Sequence, residues 1–221
     1  MALRPAKDEL FDALASVAKA LGNGRRAEIV DVLAQGERSV DELAAAIGQS
    51  AANTSQHLQA LAAAALVRSR REGNRVYYRP ASDDVVDLWA AVRDLAAEHL
   101  ATVEVLAHAY TGDRASIEVV TIDELAARMD AGGVVVLDVR PRPEYDAGHL
   151  PDAVSAPIDE LLGLVDGLPP DAEVVAYCRG PFCVYADDAV RLLVARGRVA
   201  RRLDGGLPEW RRAGRPVVRS A

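Results

Sequence analysis

The chain has 221 residues, and 26 Lys and Arg against 33 Asp and Glu give it a formal net charge of −7. This length suits one large domain or two modest ones. Its composition, half apolar, excludes disordered, collagen-like and coiled-coil chains. No apolar run reaches the ~18 residues of a membrane span, no secretory signal opens the chain, and two cysteines are too few for a disulfide scaffold. We therefore expect a cytoplasmic protein that does not act at a membrane.

Apolar residues spaced three or four apart predict four short helices at the start of the chain. The first ends at Gly22, and the second runs from about Arg25 to Ala34. Ser39, with Glu42 three residues later, predicts a capping box that opens the third helix. Ser50 caps the fourth. Two short helices joined by a glycine-containing turn predict a helix-turn-helix.

A β-hairpin is predicted next, because the extended runs Val67–Arg71 and Arg75–Arg79 flank a Gly-Asn turn. Five arginines and a single acid lie between residues 68 and 79. Strand alternation places Arg68 and Arg70 on one face, where they can straddle a phosphate backbone. A long helical pattern then continues to about residue 108.

Together, these residues resemble the winged helix-turn-helix of the ArsR (arsenic-repressor) family. The resemblance rests on Ser55-Gln-His57-Leu58-Gln-Ala-Leu61 before the basic hairpin and on Arg25–Leu33, and covers about residues 6–108. It implies a mainly α domain that forms a homodimer through its first and last helices and binds operator double-stranded DNA. It also implies that the helix from about Ala51 to Ala65 enters the major groove. Hydroxyls, amides and guanidinium groups there are the expected DNA contacts: Asn53, Thr54, Ser55, Gln56, His57, Arg68, Arg70, Arg71 and Arg75.

Less specific interpretations remain open at three of these positions. His57 could equally be a structural histidine of the core, and Ser55 a residue on the helix surface. The arginine-rich hairpin could be a solvated basic face. The third helix has no cysteine, so the thiolate ligands of many relatives are missing. The remaining candidate ligands depart from the family's metal spacing, so we predict no metal, with a zinc site across the dimer as the alternative: Glu98, His99, Glu104 and His108. No cofactor is predicted.

In the second half, apolar strands alternate with helical stretches, which predicts an α/β domain with a largely parallel sheet. The strands fall near Ile117–Val120, Val134–Leu137, Val174–Tyr177 and Val199–Leu203. We place the winged helix-turn-helix at 1–109, a small and polar linker at 110–116 and the α/β domain at 117–221. Ligands of such sheets bind at the carboxyl ends of the strands, and Cys178 lies at one of them.

The loop Cys178-Arg-Gly-Pro-Phe-Cys183 carries the predicted chemistry. A cysteine between a buried strand and a helix N-terminus faces backbone N–H groups and the helix dipole, and Arg179 adds positive charge. These effects favour a thiolate near neutral pH. Gly180 allows a tight curl and Pro181 fixes φ, so with Phe182 the loop forms a cradle for an anion. The alternative is a buried, inert cysteine.

This half resembles the rhodanese (sulfurtransferase) family over about residues 117–218. The resemblance rests on Asp138-Val-Arg140 with Gly148-His149-Leu-Pro-Asp-Ala153, and on Leu203-Asp-Gly-Gly206 before Trp210. It implies that Cys178 accepts sulfane sulfur as a persulfide and passes it to a nucleophile. Asp138, Arg140 and His149 match motif positions that we interpret as architectural.

Phosphatases and some arsenate reductases with related folds use a Cys-x5-Arg loop. Here the fifth residue after Cys178 is Cys183 and the sixth is Val184, so the oxyanion-clamping arginine is missing. Arg179 lies at the opposite end of the loop and does not replace it. Cys183 is interpreted either as a small apolar residue that opens the helix or as a resolving thiol that attacks a Cys178 persulfide.

The sequence thus predicts a DNA-binding transcriptional regulator whose rhodanese-like domain carries or senses sulfane sulfur on Cys178. The donor is a compound such as thiosulfate or polysulfide. One alternative is an active sulfurtransferase that the winged helix tethers to DNA. Another is a regulator or reductase that responds to an arsenic oxyanion.

Overall fold

The computed structural model describes residues 3–220. They form two compact units, one ending at Leu95 and the other beginning at Ala96. Within this range, no helix combines the length and apolar character needed to cross a bilayer.

The first unit is mainly helical, and its apolar core is centred on Ile29, Leu33, Leu43, Leu58 and Leu61, each at most 1% exposed. Its elements, in chain order, are α1 (Leu3–Leu21), α2 (Gly24–Leu33), β1 (Arg38–Ser39), α3 (Val40–Ala46), α4 (Ala51–Ala63), β2 (Val67–Glu72), β3 (Arg75–Pro80) and α5 (Asp83–His99), which continues beyond Leu95.

Side-chain caps set the helix starts of this unit, as the sequence predicts. The Ser39 hydroxyl accepts from the Glu42 N–H, and the Glu42 carboxylate accepts from the Ser39 N–H at 2.7 Å, which confirms the capping box of α3. This backbone hydrogen bond lowers the pKa of Glu42. Ser50 accepts from the Asn53 N–H and opens α4. Between the two helices, Gly48 has φ +61°, a conformation that favours glycine.

The predicted hairpin is confirmed and lies in a three-stranded antiparallel sheet of order β1-β3-β2. The two-residue strand β1 pairs Arg38 with Tyr78 and was not predicted. Its sequence is too short to carry a strand period, so only pairing with β3 defines it.

The second unit has a five-stranded sheet of order β4-β8-β7-β5-β6, in which every neighbouring pair is parallel. This confirms the α/β prediction. After α5, the elements are α6 (Ala101–Thr111), β4 (Val119–Val120), α7 (Ile122–Ala131), β5 (Val134–Asp138), α8 (Arg142–Ala147), β6 (Val154–Ser155), α9 (Leu161–Val165), β7 (Glu173–Cys178), α10 (Tyr185–Ala195), β8 (Ala200–Gly206) and α11 (Leu207–Arg212).

Side chains of the central strand β7 alternate between two apolar clusters, one on each face of the sheet. Val174, Ala176 and Cys178 belong to the cluster that contains α9 and α10 side chains. Val175 and Tyr177 belong to the cluster that contains α7 and α11 side chains. Burial on both faces explains why the strand reads as a continuous apolar run. It also places Cys178 at the carboxyl end of the strand, in the α10 layer.

The long helix expected after the hairpin is two helices, because Leu100 between α5 and α6 has extended backbone angles, φ −107° and ψ 100°. Neither Gly nor Pro marks this break in the sequence. The predicted linker begins inside α6, which continues to Thr111 and ends at Gly112 with φ +71°.

Candidate nucleic-acid interface and cysteine loop

The first turns of α4 present only some of the predicted side chains to solvent. Asn53 and Gln56 are exposed, while Ser55 and His57 are half-buried. Thr54 is fully buried, and its hydroxyl donates to the Ser50 carbonyl at 3.0 Å. The prediction that Thr54 contacts bases is therefore corrected: it packs the helix against the core. Because the sequence alone does not fix the rotation of a short helix, its buried side was missed.

The strand register of the hairpin gathers four arginines on one face. Arg68 lies opposite Arg79, Arg70 opposite Tyr77, and Glu72 opposite Arg75. Since directly opposed residues share a face, the pair predicted from alternation is extended by Arg75 and Arg79. Arg71 lies on the other face, in line with Val67 and Tyr78, which contribute to the core.

Within this basic face, Arg70 is held by acids. Its guanidinium contacts Glu37 at 2.6 Å and also Glu72, and lies 4.8 Å from the Tyr77 ring centroid. Hydrogen bonding to Glu37 raises the pKa of Arg70. Arg68 and Arg79 are exposed and directly opposed, and two like charges in this arrangement repel each other.

The cysteine loop connects the end of β7 to the start of α10. Cys178 is 1% exposed and Cys183 is half-buried. The two form a disulfide with a Cα–Cα distance of 6.2 Å. The Cys183 N–H donates to the Gly180 carbonyl at 3.1 Å, which closes a turn inside the loop. The structure thus shows the oxidised state of the pair, in which neither sulfur is a thiolate.

Arg179 does not supply free positive charge to the loop, contrary to the sequence expectation. Its guanidinium binds the Glu144 carboxylate through two nitrogens, at 3.0 Å and 2.6 Å, and lies 5.8 Å from the Tyr185 ring centroid. The Glu144 side chain is 3% exposed, so this ion pair is largely shielded from solvent. Paired in this way, Arg179 is poorly placed to bind an oxyanion.

Comparisons with known proteins agree with this division into two sites. Residues 23–69 match the family model of the bacterial regulatory protein, arsR family, and residues 121–213 match the rhodanese-like domain model. The HTH-type transcriptional regulator Rv0324 of Mycobacterium tuberculosis is 49% identical over 97% of this chain and 94% of its own length. This chain belongs to the ArsR family of HTH-type transcriptional regulators. Its C-terminal half is a rhodanese-like domain.

Other relatives match one half of this ArsR-family regulator. A sulfurtransferase of Allochromatium vinosum is 33% identical over 43% of the chain and 90% of its own length. The homodimeric winged helix-turn-helix DNA-binding domain of a Mycobacterium bovis protein is 52% identical, covering 42% of the chain and 87% of that domain, with a TM-score of 0.41. A rhodanese-related protein of Thermoplasma volcanium is 26% identical over 46% of the chain and 97% of its own length, with a TM-score of 0.42.

Gly206, from the C-terminal rhodanese motif, packs directly against the cysteine loop of the regulator. A Cβ atom built there would lie 2.3 Å from the Cys178 carbonyl oxygen and 2.5 Å from the Gly180 nitrogen. No side chain fits such a gap, so glycine at this position sets the distance between the end of β8 and the loop.

Asp138 and Arg140 are fully buried and form a hydrogen-bond network at the carboxyl end of β5. Arg140 binds Asp138 through Nη2 at 2.5 Å and donates to the Gly148 carbonyl at 2.7 Å. The Tyr177 hydroxyl donates to Asp138 at 2.5 Å, and burial raises the pKa of Tyr177. His149 is also buried and stacks on Tyr145 with ring centroids 3.7 Å apart. These contacts suit the architectural roles expected from the sequence.

Arg114 is a loop contact that the sequence analysis missed. It lies in the segment assigned to the linker, yet its guanidinium donates to the Pro181 carbonyl at 2.7 Å and to the Cys183 carbonyl at 3.1 Å. It also binds the buried carboxylate of Asp187 on α10. Burial and the charge of Arg114 lower the pKa of the neighbouring Arg202. No motif marks a single arginine in a polar stretch, so only the fold reveals these contacts.

A cavity of about 410 Å³ opens at the carboxyl ends of β5 and β6. Its walls include Val139, Pro157 and Tyr185, and Arg142, Asp159 and Glu160 add charge of both signs. Within residues 3–220, including this cavity, no three His, Cys, Asp or Glu side chains form a group that could hold a metal ion.

Proposed function

We propose that this ArsR-family regulator senses sulfane sulfur through the Cys178–Cys183 pair and converts it into a change of DNA affinity. The observation that carries the proposal is the position of the chain's two cysteines. Both lie in one strand-to-helix loop of the rhodanese-like domain, within bonding distance of each other. The winged half holds neither cysteine, so a thiol-based signal has to arise in this loop.

In the first step, the Cys178 thiolate attacks the outer sulfur of a polysulfide. A Cys178–S–SH persulfide forms, and the shortened polysulfide leaves with the electron pair of the broken S–S bond. With thiosulfate as donor, sulfite leaves instead. The position of Cys178, at a strand end before an 11-residue helix, supports the thiolate required here.

In the second step, the Cys183 thiolate attacks the inner sulfur of the persulfide. The Cys178–Cys183 bond forms and hydrosulfide leaves, so no further oxidant is needed. The product is the disulfide that the structure contains. Because Cys178 is almost fully buried, a thiol of the same loop has an advantage over thiols in solution. A cellular dithiol or two monothiols then reduce the pair and reset the sensor.

For DNA, we propose that the first turns of α4 enter the major groove and that the β2–β3 hairpin, the wing, contacts the phosphate backbone. Asn53 and Gln56 supply exposed amides, and the exposed Arg68–Arg79 pair supplies a site of concentrated positive charge. A phosphate between the two arginines offsets their mutual repulsion, which gives this unfavourable pair a physical role.

We further propose a homodimer formed by α1 and α5. Both helices expose large apolar side chains at helical spacing: Leu10, Phe11 and Leu14 on α1, and Leu88, Val92 and Leu95 on α5. Exposed large apolar side chains that lie along one helix are typical of protein–protein interfaces. The Leu14→Glu variant tests the dimer in sedimentation velocity, where it should sediment as a monomer, and unchanged sedimentation would contradict this interface.

Mass spectrometry tests the sulfur chemistry. The reduced protein is treated with polysulfide, alkylated and digested, and released sulfide is measured in parallel. We expect a Cys178–Cys183 cross-link in the wild type and a stable Cys178 persulfide in Cys183→Ser. A wild type modified at Cys178 without any cross-link would eliminate the resolving step.

An active sulfurtransferase is the second candidate, supported by the similarity of residues in this half to a sulfurtransferase. In that case, the persulfide passes to an external thiol instead of Cys183. Steady-state turnover with thiosulfate and a thiol acceptor distinguishes the two. Because the acceptor thiol also resets the sensor, the Cys183→Ser variant decides between them. An enzyme that passes sulfur to the external thiol retains its turnover in Cys183→Ser, whereas a route through the Cys178–Cys183 disulfide loses it.

A further inference from the structure

We propose that Arg114 is a positioning residue that holds Cys183 in place for reaction with Cys178, and so connects the state of the cysteine pair to the segment that follows α6. The proposal rests on the sulfur chemistry proposed for the loop. It assigns a role to a residue outside the matched rhodanese-like residues 121–213.

The guanidinium of Arg114 bridges the loop and α10. Nη1 donates to the Pro181 carbonyl at 2.7 Å, Nη2 donates to the Cys183 carbonyl at 3.1 Å, and Nε donates to Asp187 at 2.7 Å. The planar, rigid geometry of a guanidinium fixes the relative positions of all three acceptors. The backbone of Cys183 is therefore fixed relative to the first turn of α10.

The carboxylate that anchors this bridge is itself fully buried. The Asp187 side chain is 0% exposed and also lies 3.4 Å from Nε of Arg202 on β8. The Arg114 side chain is 24% exposed, so its bonds are partly shielded from water. Charged hydrogen bonds in such surroundings are stronger than those at an open surface.

The main chain around Arg114 is also held in place. The Asp113 carbonyl accepts from Nη2 of Arg191 on α10 at 2.8 Å, and the Arg114 carbonyl accepts from the Ile117 N–H at 3.0 Å. The segment directly after α6 is thus attached to the same helix that begins behind the cysteine loop. A loop movement that displaces the Cys183 and Pro181 carbonyls breaks two of the three side-chain contacts of Arg114 and so weakens the link between the loop and the segment after α6.

A disulfide equilibrium tests this role without any DNA. The full-length protein is equilibrated in buffers of different glutathione to glutathione disulfide ratios, quenched by alkylation and analysed by mass spectrometry. In this equilibrium, formation of one Cys178–Cys183 disulfide reduces one glutathione disulfide to two glutathione molecules.

We expect Arg114→Gln to shift this equilibrium toward the dithiol by about tenfold, the size expected for loss of a charged hydrogen bond. Arg114→Lys should not restore the wild-type value. The three acceptors are bound by three separate guanidinium nitrogens, and the single nitrogen of a lysine cannot take all three places. Arg198→Gln is the matched control. Arg198 also donates to two carbonyls, those of Leu168 and Pro169, away from the loop, and its loss should change the equilibrium less than about twofold.

Equal equilibrium constants for Arg114→Gln, Arg198→Gln and the wild type would overturn the proposal. Circular dichroism verifies folding, and if Arg114→Gln does not fold, the same readout on Arg114→Lys decides. Failure of the proposed DNA response remains distinguishable. An equilibrium that is shifted in Arg114→Gln, together with a wild-type DNA affinity that polysulfide does not change, contradicts the sensor alone.

Discussion

Cys178 and Cys183 share a disulfide, but Cys178 is almost completely buried whereas Cys183 is partly open to solvent. We therefore expect Cys178 to react more readily with small sulfur compounds than with large ones. Two variants with one cysteine each, Cys183→Ser and Cys178→Ser, are treated with a bulky aromatic disulfide reagent. We expect Cys178 in the first variant to react about tenfold more slowly than Cys183 in the second. Stopped-flow absorbance measures both rates. Equal rates with the bulky reagent would show that burial does not control access to Cys178.

Substitution of Gly206 should deform the cysteine loop. In Gly206→Ala, the new methyl group meets the Cys178 carbonyl at 2.3 Å, and such overpacking costs about 1–3 kcal/mol. We expect a lower melting temperature and slower formation of the Cys178–Cys183 bond. Gly163→Ala on α9 is the control, since nothing lies within 4 Å of its Cβ. If both variants behave like the wild type, Gly206 does not position the loop.

Removal of Arg68 or Arg79 should weaken DNA binding and reduce its salt dependence. Loss of one phosphate interaction reduces the slope of log affinity against log salt by about one, irrespective of DNA sequence. Because Arg71 lies on the other face of the wing, Arg71→Ala should have a smaller effect. Fluorescence anisotropy at several salt concentrations measures the slope, with Arg196→Ala, an exposed arginine of the other unit, as control. An unchanged slope for Arg68→Ala and Arg79→Ala would move the backbone contact elsewhere.

Asp138→Asn should strongly destabilise the rhodanese-like domain. The substitution leaves the buried charge of Arg140 without its anion, which typically costs about 3–5 kcal/mol. The control is Asp146→Asn, whose carboxylate pairs with Arg142 at an exposed site and should change stability by less than about 1 kcal/mol. Urea unfolding of both variants measures the difference. Equal midpoints would show that the Asp138–Arg140 pair does not hold the domain together.

Much of the fold was predictable because local signals agree with the tertiary structure. The capping box of Ser39 and Glu42 fixes the start of α3 through hydrogen bonds only three residues apart. The apolar run before Cys178 predicts the buried strand β7, and the parallel sheet follows from alternation of strands and helices. Each of these features depends on neighbours in the sequence.

The missed features depend on partners that are distant in sequence. Arg114 reaches a loop some seventy residues away, and Arg179 of that loop pairs with Glu144 on α8. The strand β1 exists through its pairing with β3, and Thr54 turns inward because the whole helix packs against the core. Composition and periodicity do not encode such contacts, so they emerged only from the packed structure.

DNA affinity in the presence and absence of polysulfide tests the central claim most directly. A DNA duplex selected for specific binding to the reduced protein is titrated with wild type, Cys178→Ser and Cys183→Ser, and anisotropy gives each affinity. We expect polysulfide to change the affinity of the wild type by about 5- to 150-fold, the usual range for coupled sites, and to leave Cys178→Ser unchanged. The account would be contradicted if polysulfide leaves the DNA affinity of the wild type unchanged while mass spectrometry shows that the Cys178–Cys183 bond has formed completely.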